Sequence, residues 1–225
     1  MQRKIITTKD NSKTLLISDL NETYHSNHGA LTEAQHIFIK NGVNQLKDKQ
    51  KEEISIFEMG FGTGLNAILT FQFAQQHQLK INYTTIEKYP ILQSEIESLN
   101  YATLLNLSHS EKETYQKMHL SKPDQTKTIS PYFEFKLFKN DIKHTELNQN
   151  TFDIIYYDAF APQHQPQLWE ESVLKKMYDS LTPDGFLITY CAQGQFKRTL
   201  KEIGFEVKPL PGPPGKREIT KAIKK

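Results

Sequence analysis

Cysteine is almost missing from this chain: Cys191 is the only one among 225 residues. No internal disulfide framework can form. Long apolar runs are missing as well, none approaching the roughly 20 residues that cross a bilayer. The first residues, MQRKIITTKDNSK, lack the apolar centre of a secretory signal. A strong charge imbalance is also absent, since 28 Lys and Arg face 26 Asp and Glu for a formal net charge of +2. Bulk charge therefore announces no nucleic-acid partner. These absences lead to the expectation of a cytoplasmic protein with no membrane association. What is present is a globular composition, 37% hydrophobic and 24% charged, in a length suited to one domain or a domain with an appendage.

Charge is less even locally. Lys197, Arg198, Lys201, Lys208, Lys216, Arg217, Lys221, Lys224 and Lys225 crowd the last thirty residues. Such a basic end can track phosphates or can be a solvated terminus.

Two regions are expected. Residues 1–50 form an N-terminal hairpin and helical extension. IITT and TLLISDL are β-prone runs split by the turn-forming KDNSK, and Leu31, Ala34, Ile37, Phe38 and Val43 recur at helical spacing until Asn41-Gly42 interrupts. From 51 to 225 strands alternate with helices. ISIFE, INYTTIE, FEFKLF, TFDIIYYDAF and FLITYCA are strand-like, and LNAILTFQFAQQH, YPILQSEIESLNYATLLNL, LWEESVLKKMYDSL and FKRTLKEIGF are helix-like. That alternation predicts an α/β, Rossmann-like fold: a mostly parallel seven-stranded sheet with helices on both faces. The polar stretch 102–130 predicts a partly helical insertion, either a specificity element or a surface excursion.

The chemistry concentrates at strand ends. In EMGFGTGLNA, Gly60, Gly62 and Gly64 follow a strand and open a helix, so backbone can approach a ligand closely. A nicotinamide fingerprint needs G-x-G-x-x-G, but Leu65 stands where its third glycine would fall. Glu58, just before the loop, would repel a pyrophosphate and attract the ammonium of a methionine moiety. Glu87, ending the next strand, can accept ribose hydroxyls. Asp141, after the third, is placed to accept from an adenine amino group. Each acid alone is equally a helix cap; together they point to S-adenosylmethionine (SAM), held by Glu58, Gly60, Phe61, Gly62, Thr63, Gly64, Asn66, Glu87, Asp141 and Asp158.

Asp158 ends the fourth strand in YYDAFAPQHQPQLW and is the candidate catalytic residue. An alkyl amine is ordinarily protonated, with a pKa near that of lysine, about 10.4. A carboxylate at the cleft can hold such an amine and relay its proton. Amino-purine methyltransferases use Asn/Asp-Pro-Pro-aromatic here, and D-A-F-A-P departs from it, which favours an sp³ amine.

EMGFGTGLNA, YYDAFAPQHQPQLW, GKREI and YHSNHGALTEA together resemble the methyltransferase family of MnmD, found also as the N-terminal half of bifunctional MnmC. The resemblance runs over essentially the whole chain. It implies methylation of the aminomethyl group at carbon 5 of the wobble uridine, often 2-thiolated, in tRNA. It puts the family's glycine loop on Gly60, Gly62 and Gly64 and its catalytic aspartate on Asp158. Bifunctional members continue into an FAD-dependent oxidase, so the expectation here is a stand-alone methyltransferase without FAD or metal. The expected partner is a tRNA anticodon loop, with Tyr24 and Phe160 as stacking candidates and Lys216 and Arg217 as phosphate contacts. Trp169 also offers a ring, although core burial suits it better.

Other features carry less. His25 and His28 lack the companions of a metal site, Cys191 sits on a strand as a small hydrophobe, and PLPGPPG connects rigidly into the last strand, REITKAI. Two alternatives stay open. One is a small-molecule N-methyltransferase or aminopropyltransferase on the same fold. The other is a non-catalytic RNA-binding protein with a vestigial cleft.

Overall fold

The computed structural model describes residues 2–47 and 51–225. The expected boundary at residue 50 falls at positions 48–50, which lie outside the described residues, as does Met1. The N-terminal segment folds as β1 (Arg3–Thr7), β2 (Lys13–Ile17) and a two-residue β3 (Glu22–Thr23) in a small antiparallel sheet. Helix α1 (Ala30–Ala34) then runs into a π-helical segment, Gln35–Lys40. At Gly42 a Cβ would lie 2.0 Å from the Phe38 carbonyl oxygen, so the chain breaks there as its Asn-Gly pair predicts. A short 3₁₀ turn, Val43–Gln45, follows.

The main sheet uses β4 (Glu53–Met59), β5 (Lys80–Ile86), β6 (Thr126–Ser130), β7 (Phe133–Phe138), β8 (Phe152–Tyr157), β9 (Leu181–Thr189), β10 (Phe205–Pro211) and β11 (Glu218–Lys224). Their order is β10-β11-β9-β8-β4-β5-β7-β6. The inner pairs, β9 to β8, β8 to β4, β4 to β5 and β5 to β7, are parallel, and the outer pairs are antiparallel. Eight strands rather than seven make the sheet. The insertion 102–130 supplies β6, whose sequence TKTIS is polar and largely exposed. An edge strand needs no buried face, so it leaves no hydrophobic alternation to detect.

Helices α2 (Leu65–His77), α3 (Gln93–Ser98), α4 (Tyr101–Leu104), α5 (His109–His119), α6 (Glu171–Ser180) and α7 (Gly194–Ile203) flank the sheet. Helix α5 starts at a capping box: Ser108 Oγ accepts from the Glu111 N–H at 3.3 Å, and Glu111 accepts from the Ser108 N–H at 2.8 Å. Helix α7 ends where Gly204 takes a φ of 119°.

Side-chain parity divides the core. Ile54 and Ile56 of β4, Tyr83 of β5, Phe133 and Phe135 of β7 and Tyr156 of β8 pack with α1 and α2 on one face. Phe57, Met59, Ile155 and Tyr157 pack with α6 and α7 on the other. Because strand side chains alternate, Glu58, Thr85 and Asp158 fall in step with the α2 face. Order in the sheet reverses between β4 and β8, which opens a crevice at their carboxyl ends.

Candidate active site

The glycine loop closes this crevice. Gly60 and Phe61 N–H groups both donate to the Ile86 carbonyl, at 3.2 and 3.0 Å, and the Asp158 N–H donates to the Met59 carbonyl at 3.1 Å. The ends of β4, β5 and β8 are thereby tied together. Gly60 has φ 91° and Gly62 has φ 51°. A Cβ on Gly60 would come within 3.2 Å of the Asp158 carbonyl oxygen, and one on Gly62 within 3.1 Å of the Tyr24 ring. Glycine is needed for both conformation and clearance.

A cleft runs along the loop, lined among others by Tyr24, Gly60, Gly62, Glu87, Asp141, Asp158 and Phe160. Glu87 holds the loop by accepting from the Gly62 N–H at 2.9 Å and from the Tyr89 N–H at 2.8 Å. Burial raises its pKa, against the pull of these two N–H groups. Asp141 caps the turn Ile142–His144 by accepting from the Lys143 N–H at 2.9 Å. It also pairs with Lys88 at 3.0 Å. Burial would raise Asp141, but the Lys143 N–H and Lys88 outweigh it and hold the group below the usual range. Capping and cleft lining are thus combined in one residue. Lys88, Tyr89, Asn140, Gln165, Gln167 and Leu168 also line the cleft and were not singled out from the sequence. Two of them adjoin Glu87 or Asp141, and adjacency to those strand ends was the available signal.

Not every expected residue reaches the cleft. Glu58 is 0% exposed. It accepts from Thr85 Oγ1 at 2.8 Å, and its other oxygen has no hydrogen-bond partner. Burial, with Asp158 nearby, pushes it to about 8. Its in-step position with Ile54 and Ile56 aims it into the α2 face, beneath the cleft rather than among its lining residues, where the sequence expectation put it beside a ligand ammonium. Phe61 packs on His119 and Phe135, with ring centroids at 4.8 and 5.6 Å. Thr63 is buried, its carbonyl accepting from Tyr115 Oη at 2.6 Å and facing His119 Nε2 at 3.2 Å. Gly64 is the N-cap of α2 with φ 72°. These three shape the loop from behind, where the sequence expectation made them direct ligands. The insertion, through α5, is therefore a buttress of the glycine loop.

Asn66, on the first turn of α2, donates to Asp158 Oδ2 at 2.8 Å. Burial raises Asp158 to about 7, reinforced by Glu33 and opposed by Asn66 and Lys216. At neutral pH both of its protonation states are populated. Asp158 also lines a second cavity, together with Glu22, His25, Glu33, Phe160, Tyr190 and Lys216. The two spaces meet at Tyr24, Asp158, Ala159 and Phe160, where the Tyr24 and Phe160 rings touch edge to face at 4.9 Å.

Lys216 differs from its expected place among surface phosphate contacts. It turns inward to pair with Glu33, while Arg217 beside it is exposed. Trp169 is a core residue whose Nε1 donates to the Phe160 carbonyl at 2.8 Å. His25 is partly buried: Nδ1 is 2.9 Å from Thr14 Oγ1, and burial lowers the ring to about 4. Among the described residues no group of three or more His, Cys, Asp or Glu is arranged to hold a metal.

A family model described as S-adenosyl-L-methionine-dependent methyltransferase matches residues 106–225, more than half of the chain. The chain belongs to that family. SAM is accordingly the methyl donor of this methyltransferase. The glycine cradle with Glu87 and Asp141 fits it, offering bare backbone to a ligand and carboxylates to hydroxyl and amino donors. Similar curated proteins include the tRNA 5-methylaminomethyl-2-thiouridine biosynthesis bifunctional protein MnmC of Cupriavidus necator, 30% identical over 89% of this chain and 31% of that protein. The protein of the same name from Leptospira borgpetersenii is 29% identical over 90% of this chain and 32% of its own length. The methyltransferase spans about a third of these relatives. Among solved structures, MnmC2 from Aquifex aeolicus covers all of this chain and 70% of that one, with a TM-score of 0.80 at 22% identity. Spermidine synthase from Thermotoga maritima covers 99% and 73%, with a TM-score of 0.51 at 16% identity. Both likenesses concern the fold, which is the Rossmann-like methyltransferase fold.

Proposed function

We propose that the methyltransferase N-methylates the 5-aminomethyl group of the wobble (2-thio)uridine in tRNA, giving 5-methylaminomethyl-(2-thio)uridine. The names of the curated relatives suggest the substrate. The observation that carries an amine acceptor is the position of Asp158, at the junction of two spaces and with a pKa of about 7. One space holds SAM, with Glu87 on the ribose and Asp141 toward the adenine, and supplies an electrophilic methyl. The other admits the acceptor. Asp158 takes the ammonium proton and leaves the nitrogen lone pair free, with Asn66 orienting the carboxylate. Tyr24 and Phe160 flank the entry of a splayed-out base, and exposed Arg217 serves the RNA backbone. A cytoplasmic address goes with this role, and no helix among the described residues is long and apolar enough to cross a membrane.

The test is direct. Protein and SAM are incubated with tRNA from cells lacking the modification, and the digested nucleosides are weighed. Conversion of the aminomethyl to the methylaminomethyl nucleoside supports the proposal, and an unchanged profile sinks it. In a tRNA-binding titration Arg217→Ala should flatten the dependence of affinity on salt; an unaltered slope removes Arg217 from the phosphate contacts. A second possibility, a free polyamine acceptor, is favoured by Glu22 and Glu33 beside Asp158 in the second cavity. Transfer to spermidine but not to tRNA would select it.

A further inference from the structure

The second cavity already contains an alkyl ammonium. It belongs to the protein: the Nζ of Lys216, 2.5 Å from Glu33 Oε1 and 4.1 Å from the centroid of the Tyr190 ring. Carboxylate plus aromatic face is a general recognition chemistry for alkylammonium ions. Its parts are built in. Glu33 is 7% exposed, and its other oxygen accepts from the Ser26 N–H at 2.9 Å. Tyr190 is fixed by donating to the Ala159 carbonyl at 2.8 Å, next to Asp158. Lys216, in contrast, stands on a turn, Gly212–Arg217, between β10 and β11. The turn rests on the N-terminal segment through Gly215, packed against His28, and the end of β10 does so through the Pro211 carbonyl, 2.8 Å from His36 Nε2. A turn can withdraw one long side chain at lower cost than the buried helix residue Glu33 can move.

We propose that Glu33 and the face of Tyr190 form the ammonium-reading end of the acceptor cavity, and that Lys216 is its internal occupant, withdrawn when the acceptor amine arrives. The inference rests on an amine acceptor, as under the proposed function, and adds the residues that select it. An internal occupant lowers apparent affinity for the real one by the fraction of molecules in which the site is free. It also keeps a buried carboxylate paired while no substrate is present, when an unpaired one would be costly. Selectivity follows from the site itself. An acceptor with a hydroxyl in place of the amine carries no charge for Glu33, and such an acceptor would leave Lys216 in place.

The experiment uses the full chain with S-adenosylhomocysteine and two small probes, propylammonium chloride and 1-propanol. In Lys216→Met, propylammonium should bind at least about tenfold more tightly than in the wild type. It should also recover melting temperature lost through the substitution. Glu33→Gln and Tyr190→Leu should each abolish the propylammonium effect while S-adenosylhomocysteine still binds, and 1-propanol should distinguish none of the variants. With aminomethyl tRNA, Lys216→Met should lower the acceptor KM and Glu33→Gln should raise it. Equal propylammonium affinity in wild type and Lys216→Met overturns the proposal, as does a Lys216→Met variant that loses kcat with a raised KM. If Glu33→Gln does not fold, Tyr190→Leu decides the ring's part and Lys216→Met the occupant's. A wild type that leaves tRNA unmodified, yet shows the propylammonium pattern, removes the tRNA substrate and keeps the amine site. Modified tRNA without that pattern does the reverse.

Discussion

Asp158 and Glu58 have side chains on the same face of neighbouring strands, and burial raises both, to about 7 and about 8. Only Asp158 opens onto the cleft and the cavity. Its active form as a proton acceptor is the carboxylate, so kcat/KM, which reports the free enzyme, should rise with pH through about 7 and then level off. Asp158→Asn keeps the shape, removes the acceptor, and should cost about 10²–10⁴ in kcat. The acid limb should vanish with it while SAM affinity holds. Loss of SAM affinity on the same scale would make Asp158 a cofactor ligand instead. Asp158 was legible in the sequence as an acid ending an apolar strand. The inward aim of Glu58 was legible in principle, through its two-residue step from Ile56. The pull of a strand-end acid toward a ligand obscured it.

At the scale of elements, α5 matters more to the cofactor loop than its polar sequence suggests. Tyr115 and His119 lie four residues apart, one helical turn, and both reach the Thr63 carbonyl. Burial holds His119 near pKa 4, so the ring is neutral at physiological pH and can donate to that carbonyl. Tyr115→Phe keeps the packing and removes one donor, leaving His119 on the oxygen. The expected cost is about 1 kcal/mol in stability, read as a melting shift of roughly 2–4 °C, with weaker SAM binding in calorimetry. Unchanged SAM affinity would mean the loop holds its shape without the Tyr115 hydroxyl. The helix itself was readable from its Ser-x-x-Glu start. Its target was not, because contacts from residues 115 and 119 back to residue 63 cross half a hundred positions of chain.

On the scale of the molecule, Arg3 joins the N-terminal sheet to the cofactor side. Its guanidinium donates to Glu95 at 2.9 Å, to Tyr24 Oη at 3.2 Å, and to the Tyr89 and Pro90 carbonyls at 3.2 and 3.4 Å. Residues 87–90 follow β5 and line or border the cleft. Arg3→Met should lower the melting temperature and speed hydrogen exchange together in β1, β2 and residues 87–92. Faster exchange in β1 and β2 alone would show that the clamp does not reach the cleft. The same linkage explains why the N-terminal segment, which in the sequence is a separate hairpin and helix, ends up supplying Tyr24, His25 and Glu33 to the two spaces around Asp158.

The sequence by itself determined the alternating architecture, the glycine loop, the donor it cradles and the acids at the ends of β5, β7 and β8. These are local properties: hydrophobic period, turn chemistry, and residue types a few positions from a strand end. Only the tertiary structure decided that α5 braces Thr63 and that Lys216 faces Glu33 instead of solvent. Each of those depends on which distant segments pack together. A charge written in sequence has no address until the fold gives it a dielectric and a neighbour.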